Sequence, residues 1–161
     1  MAGFKTKTFL KYDDYCTPFS VWESIIDYIP KNKKIWCPFY CDGKQKEHFE
    51  KLGFDIIHAE EDFFENNKGD IIIDNPPFSK KKEVFTRLKE INKPFIMICP
   101  VSMINAVYFR NLFKDENIQI LIPRRRINFI KDGLINTNRC NFDCFFYCYK
   151  MNLQKDIIYL E

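Results

Sequence analysis

The chain has only two histidines, His48 and His58, and neither lies beside a candidate nucleophile. Hydrolase chemistry of the Ser-His or Cys-His kind therefore has no support in the sequence. No apolar run approaches the roughly 20 residues that span a membrane. The polar start MAGFKTKTFLKYDDY also lacks the apolar segment of a signal peptide. We therefore expect a protein that is neither secreted nor inserted in a membrane.

The chain also lacks a large excess of positive or negative charge: its net charge is only +3. A charge this small permits a nucleic-acid partner but does not predict one, so any such prediction depends on local clusters. The seven cysteines include no CxxC pair of the zinc-site type. Cys140, Cys144 and Cys148 recur every fourth residue on one face of a strand, where core packing is favoured over a metal site. We predict reduced thiols in an intracellular protein and no bound metal.

The remaining composition is typical of a folded domain. Hydrophobic residues make up 46% of the 161 positions, and 17 residues are Phe. This length predicts one domain with a sizeable core and excludes a disordered chain. Local patterns and caps predict helices over about 17–28, 44–52, 79–91 and 102–113. Strands are predicted over 34–37, 54–58, 70–74, 94–99, 118–122, 126–130, 142–149 and 156–160.

This order of elements predicts an α/β fold with a mainly parallel sheet and an antiparallel C-terminal hairpin at its edge. Ligands of such sheets bind beyond the carboxyl ends of the strands. The segments CPFYCDG, HAEED and DNPPF follow the first three strands, so we expect them on one rim. Gly43 would let a ligand approach, and Glu60 or Asp62 would accept hydrogen bonds from a ribose. Each acid alone is equally typical of a solvated loop, and Phe63 fits either an adenine wall or the core.

The segment Asn75-Pro76-Pro77-Phe78 fits one chemistry well. An exocyclic amine on a base is a poor nucleophile because its lone pair is delocalised into the ring. The Asn75 side-chain oxygen and the Pro76 carbonyl can accept its two hydrogen bonds and orient it toward an electrophile. Phe78 would stack on a base taken out of its helix. The alternative is a strand that ends in prolines and an apolar anchor.

The ordered set YDDYCTP, CPFYCDG, HAEED and DNPPF resembles the Rossmann-like, S-adenosylmethionine-dependent amino-methyltransferases. It is most similar to the small adenine-N6 DNA methyltransferases of phages and giant viruses. PRRRINF, which begins at Pro123, followed by a loop and an apolar strand, is similar to the C-terminal part of the phage enzymes. The resemblance spans about residues 12–149. If the protein is viral, the resemblance implies that it is located in the cytoplasm or nucleus of the host cell.

The resemblance implies a role for each matching position. Asn75, Pro76, Pro77 and Phe78 match the catalytic motif. The first 30 residues would cover the cofactor, S-adenosylmethionine, and residues 118–161 would form the β-rich end. Cofactor contacts are expected from the covering segment and from the loops after the first two strands, at Tyr15, Thr17, Pro18, Cys37, Phe39, Cys41, Gly43, Glu60, Asp62 and Phe63.

Three features depart from the family pattern. Cys37 replaces an acidic residue, and Cys41 replaces the first glycine of the cofactor loop. A residue other than glycine narrows this loop if the position needs a positive φ. The stretch from Asp62 to Asp70 also leaves little room for the usual extra strand and helix. The alternative to an enzyme is therefore a non-catalytic nucleic-acid-binding protein or a partner-dependent subunit.

Two basic runs favour a nucleic acid as the substrate. Lys80, Lys81 and Lys82 follow the catalytic motif, and Arg124, Arg125 and Arg126 follow a later strand. Each run alone is also typical of a solvated helix turn or a protected sheet edge. RNA and a protein glutamine remain alternative substrates. No separate target-recognition domain fits in this length, so we predict low sequence specificity, a homodimer or a partner chain.

Overall fold

The computed structural model describes residues 15–131, 134–135 and 142–161. Residues 1–14 of the expected cofactor-covering segment, and Cys140 of the cysteine triplet, lie outside these ranges. Within them, the α-helices are α1 (Phe19–Glu23), α2 (Gln45–Lys51), α3 (Lys81–Ile91) and α4 (Val107–Phe113). The strands are β1 (Lys34–Trp36), β2 (Asp55–Ile57), β3 (Ile71–Asp74), β4 (Phe95–Pro100), β5 (Ile118–Ile122), β6 (Ile130–Lys131), β7 (Leu134–Ile135), β8 (Cys144–Tyr149) and β9 (Ile157–Tyr159).

Seven strands form one sheet in the order β2-β1-β3-β4-β8-β5-β9. β2, β1, β3 and β4 are parallel, and β9 is parallel to β5. β8 is antiparallel to both β4 and β5. The predicted mixed α/β domain with a mainly parallel sheet is therefore confirmed. Residues 58–70 connect β2 to β3 without a further strand, as the short spacing led us to expect.

The antiparallel strand lies inside the sheet, not at its edge as predicted. β8 reads CFFYCY, and five of its six residues are buried. Such a strand is suited to a position between two neighbours. β9 has two exposed positions in its three residues and takes the edge instead. A separate two-stranded hairpin joins β6 to β7.

Three local predictions need correction. The strand expected over 126–130 begins only at Ile130, because the three arginines before it are exposed and lie in a loop. Thr17 does not cap α1, whose N-cap is Pro18. Ser79 is not the N-cap of α3, because a 3-10 turn over Phe78–Lys80 precedes the helix and Lys80 takes that position.

Helices cover both faces of the sheet. Ile71 and Ile73 pack in the cluster that contains residues of α1 and α2, such as Trp22. Ile72 packs in the cluster on the other face, with residues of α3 and α4 such as Phe85. The alternation along β3 follows from the two-residue period of a strand. Within the described part of the chain, none of the helices has the length and apolar character needed to cross a membrane.

Candidate active site

The carboxyl ends of β1 and β3 meet at one edge of the sheet. β1 pairs with β2 on one side and with β3 on the other, so the chain changes direction across the sheet after β2. Parallel sheets bind ligands at such a switch point, in the crevice beyond the strand ends. The three segments that follow β1, β2 and β3 therefore lie on one rim, as the sequence predicted.

Asp74, the last residue of β3, connects the two walls of this crevice. Its carboxylate is fully buried. Oδ2 accepts a hydrogen bond from the backbone N–H of Phe39 at 2.6 Å. Oδ1 accepts one from Gln45 Nε2 at 2.8 Å and one from the backbone N–H of Asn75 at 2.7 Å. Burial raises the pKa of Asp74 to about 7, although the three hydrogen bonds act in the opposite direction.

Asp74 and Gln45 are absent from the set of site residues that the sequence predicted. The sequence did carry a signal for Asp74, which ends the apolar run IIID directly before the motif. An acidic residue in a buried strand is rarely tolerated without hydrogen-bond partners. Its position therefore indicates that donors must converge on it, although the sequence does not reveal which ones.

Asn75 presents one side-chain atom without a partner. Its Nδ2 donates a hydrogen bond to the carbonyl oxygen of Tyr15 at 3.2 Å. Its Oδ1 is buried and has no hydrogen-bond partner among the described residues. Because the Tyr15 carbonyl can only accept, it fixes the amide with the nitrogen toward Tyr15. The oxygen is then left as an open acceptor, which is costly unless a ligand uses it.

The two prolines and Phe78 complete the motif. Pro76 and Pro77 are buried, and the Pro77 carbonyl accepts a hydrogen bond from the N–H of Lys80 at 3.0 Å. The half-buried ring of Phe78 meets Phe129 edge-to-face at 6.1 Å between centroids and Phe142 at 5.4 Å. These contacts hold one side of the ring and leave part of it accessible.

The segment before α1 lies over this motif. Tyr15 is buried and its ring stacks on Phe129 with an interplanar angle of 3°. Cys16 exchanges two backbone hydrogen bonds of 2.8 Å with Ile130. The hydroxyl of Thr17 is buried without a partner. Among the predicted cofactor residues, Tyr15 and Thr17 are thus fixed beside the motif, and Pro18 follows them at the start of α1.

The segment after β1 contains an unexpected disulfide. Cys41 and Cys16 are bonded, so the prediction of reduced thiols is wrong for this pair. Cys41 also has a φ of +51°, the conformation in which a side chain is strained. The bond joins the segment before α1 to the loop after β1. Asp42 lies with the two sulfurs in a group of potential metal ligands within 4.8 Å, but both sulfurs are used by the disulfide.

The other predicted residues of this loop are packed inward. Cys37 and Phe39 are buried. Burial raises the pKa of the Cys37 thiol, with a further contribution from Asp74. Cys37 therefore supplies a neutral side chain at the position where the resembling family has an acid.

Gly43 is covered by a neighbouring ring. Its φ is +80°, and an added Cβ would lie 2.6 Å from the hydroxyl oxygen of Tyr40. Tyr40 in turn stacks on His58 at 5.1 Å between centroids. His58 Nδ1 hydrogen-bonds to the carbonyl oxygen of Cys37 at 2.7 Å, whereas Nε2 is buried without a partner. Glycine is thus favoured here by its positive φ, and a side chain at this position would displace the Tyr40 ring.

The three predicted site residues in the segment after β2 have different surroundings. Phe63 is 1% exposed and lies between Trp36 and Phe39, so it belongs to the core. Asp62 Oδ1 accepts a hydrogen bond from the N–H of Phe64 at 2.8 Å and supports the turn. Glu60 is exposed in the loop that follows β2. Of the predicted residues in this segment, Glu60 is the carboxylate best placed to meet a ligand.

The two basic runs differ in their surroundings. Lys80 and Lys82 are exposed, and Lys81 Nζ lies 5.9 Å from the centroid of the Phe78 ring. Arg126 forms two hydrogen bonds with Asp143, at 2.9 and 3.2 Å. Arg124 and Arg125 are exposed. Both runs therefore border the rim that holds Asn75.

No protein-family model matches this chain, and no curated protein matches it significantly.

Proposed function

We propose that this protein transfers a methyl group from S-adenosylmethionine to the exocyclic N6 of adenine in DNA. The observation that carries the proposal is the buried Oδ1 of Asn75, which follows β3 at the switch point of the sheet and has no hydrogen-bond partner in the described part of the chain. A buried acceptor of this kind needs a donor from a ligand. The strand order around the switch point also supports the Rossmann-like methyltransferase fold that the resemblance implies.

The motif orients the amine and does not remove its proton beforehand. Asn75 Oδ1 accepts one N–H of the adenine amine, and the Pro76 carbonyl accepts the other. These two acceptors localise the nitrogen lone pair and direct it at the methyl carbon. Phe78 stacks on the base that leaves the helix. The transfer would be direct and in line, without a covalent intermediate on the protein: the bond from N6 to the methyl carbon forms as the sulfur–carbon bond of the cofactor breaks, S-adenosylhomocysteine leaves, and the surplus proton of the amine passes to water.

The residues around the crevice fit the expected cofactor. S-adenosylmethionine would supply the electrophilic methyl group. The buried hydroxyl of Thr17 and the buried Nε2 of His58 have no hydrogen-bond partner within the ranges that the structure describes. Glu60 is a free-standing carboxylate after β2, where a ribose diol would be bound. Tyr15, Pro18, Phe39 and Cys41 form the apolar surroundings, with Gly43 in the adjoining turn.

The basic runs favour a nucleic acid over a protein glutamine as the substrate. Lys80–Lys82 and Arg124–Arg126 flank the rim from two elements. Side chains of this kind neutralise phosphates, whereas a protein glutamine does not require them. Recognition of a sequence would come from a second copy or from a partner chain.

One observation favours a second candidate, a nucleic-acid-binding module without transfer. Tyr40 lies over Gly43, and the disulfide ties the same loop to the segment before α1. A cofactor that enters this loop requires Tyr40 to move. If the loop stays closed, the rim and its basic runs still bind nucleic acid.

The two candidates are separated by calorimetric titration with S-adenosylmethionine, followed by methyl-transfer assays on single- and double-stranded DNA. RNA of the same sequence and a glutamine-containing peptide test the remaining substrates. We expect cofactor binding and transfer to DNA. Asn75→Ala should lower transfer by about 10²-fold or more, with cofactor affinity nearly unchanged.

Asn117→Ala provides a matched control, because Asn117 is exposed just before β5, at the opposite edge of the sheet. This variant should transfer methyl groups at the wild-type rate. Absence of cofactor binding by the wild type would reject the enzyme and leave the binding module. Full transfer by Asn75→Ala would reject the assignment of the catalytic acceptor.

A further inference from the structure

A cavity of about 550 Å³ lies between α1 and the segment that follows β5. Arg124, Arg125 and Arg126 form one wall, and Pro18, Ser20 and Ser24 contribute to the other. Its volume is within the range of sites that bind small molecules or single nucleotides. The cavity is therefore large enough to admit a phosphate group together with part of its sugar.

The cavity opens on the same rim as Asn75. β8 is antiparallel to both β4 and β5, so the carboxyl end of β5 lies at the same edge as the carboxyl ends of β3 and β4. Pro18 is three residues from Tyr15, whose carbonyl holds the Asn75 amide. Three residues span at most ~11 Å and the hydrogen bond between Tyr15 and Asn75 adds 3.2 Å, so this wall begins within ~14 Å of the motif.

The charge of the cavity is positive and partly uncompensated. Arg126 is paired with Asp143. No ion pair or hydrogen bond of the Arg124 or Arg125 side chain occurs among the described residues. Glu161 is the acidic side chain at the wall. Two guanidinium groups therefore remain to bind an anion, and their planar donors match a phosphate.

We infer that this cavity binds a backbone phosphate of the DNA strand that carries the target adenine. This inference rests on the proposed function for the identity of the substrate. Because the wall of the cavity begins within ~14 Å of the motif, a phosphate held there belongs to a nucleotide near the target base. The cavity then holds a flanking phosphate and positions the strand while the target base lies at Asn75 and Phe78.

The test compares two variants that each remove two positive charges. Arg124→Gln/Arg125→Gln removes the cavity charges. Lys114→Gln/Lys155→Gln removes two exposed lysines that precede β5 and β9, at the opposite edge of the sheet. Binding of a fluorescent single-stranded 12-nucleotide DNA is measured by anisotropy between 50 and 200 mM salt, a range over which about ten-fold or larger changes are expected.

The arginine variant should lose affinity about ten-fold or more at the lowest salt. The slope of its log affinity against log salt should shrink by about 1.4, which is two contacts at about 0.7 each for a single strand. The lysine variant should keep the wild-type slope. Equal slopes for the two variants would overturn the inference, because the effect would then come from overall charge.

Ser20→Trp tests the cavity independently of charge. Ser20 is exposed at the wall, so the larger side chain fills the space and keeps every arginine. Circular dichroism checks that the variant is folded. We expect weaker DNA binding with a reduced salt slope, and wild-type binding by this variant would also overturn the inference.

Cofactor calorimetry separates this inference from the proposed function. The arginine variant should bind S-adenosylmethionine with wild-type affinity. If the wild type binds no cofactor, the enzyme proposal fails, while loss of salt slope in the arginine variant alone still supports the phosphate site. If the wild type transfers methyl groups but both variants keep their slope, the enzyme stands and the phosphate site is rejected.

Discussion

Asn75 Nδ2 donates a hydrogen bond to the carbonyl oxygen of Tyr15, at 3.2 Å. The two residues are 60 positions apart in the sequence. This contact orients the amide so that Oδ1 is the atom left without a partner among the described residues, and it makes the segment before α1 part of the site. The orientation of the acceptor therefore depends on where that segment lies.

We expect Asn75→Asp to lower methyl transfer by about five- to ten-fold, well above the residual activity of Asn75→Ala. The carboxylate keeps an acceptor for the amine but has no N–H for the Tyr15 carbonyl. Loss of one hydrogen bond corresponds to about 1 kcal/mol. Steady-state kinetics of the two variants checks the order. Equal activity in the aspartate and alanine variants would show that an acceptor at position 75 contributes nothing without the N–H that binds the Tyr15 carbonyl.

Asp74 should make stability dependent on pH. Its ordinary pKa is 3.8 and burial raises it to about 7 in the folded protein. Between these values the folded state binds more protons than the unfolded state, so the contribution of Asp74 to the free energy of unfolding falls as pH rises. Above about pH 7 the contribution is constant. Urea unfolding of the wild type and Asp74→Asn at pH 5 to 8 measures it.

Asp74→Asn should itself destabilise the fold by about 1–3 kcal/mol at pH 8, because its NH₂ group would face one of the three N–H donors that now meet the carboxylate. The stability advantage of the wild type over the variant should shrink as pH rises from 5 to 7. Since both proteins contain the two histidines, the histidine contributions cancel in this difference. A difference that is constant across the range would contradict the raised pKa.

The rim could be predicted from the sequence, because strand period and proline stops are local signals. Asn75–Phe78 follow a buried strand, and parallel pairing brings such strand ends to one edge. The position of β8 between β4 and β5 could not be predicted from the sequence. It depends on which two strands leave room for a third strand between them, and this is decided by the packing of the whole domain. A run of buried residues indicates a central strand but does not identify its neighbours.

Long-range contacts of the site were equally inaccessible. The Asp74 carboxylate meets Gln45 and Phe39, which lie 29 and 35 positions away. Nothing in the local sequence pairs Cys16 with Cys41, which are 25 positions apart and come together only when Tyr15 covers the motif. Side-chain partners of this kind are set by tertiary packing, which a local pattern does not encode.

Gly43→Ala should destabilise the protein by about 1–3 kcal/mol, because a side chain at positive φ is strained and the new Cβ meets the Tyr40 hydroxyl. Tyr40→Ala removes that neighbour. In the double variant the alanine at position 43 should cost less than in the wild-type background, with only the backbone strain left. Urea unfolding of the four proteins gives the coupling. Additive effects would mean that Tyr40 does not lie on Gly43 in solution.

The Cys16–Cys41 disulfide closes a loop across a separation of 25 residues. In the chain-entropy account a loop of this length contributes about 3 kcal/mol to the free energy of unfolding. We expect dithiothreitol to lower the urea midpoint of the wild type. Cys16→Ser/Cys41→Ser should match the reduced wild type and show no further response to reductant.

The control is Cys99→Ser, since Cys99 is a buried thiol that forms no disulfide. Its urea midpoint should fall with reductant by the same amount as that of the wild type. A wild-type midpoint that does not change with reductant would mean that the two cysteines are not bonded in solution.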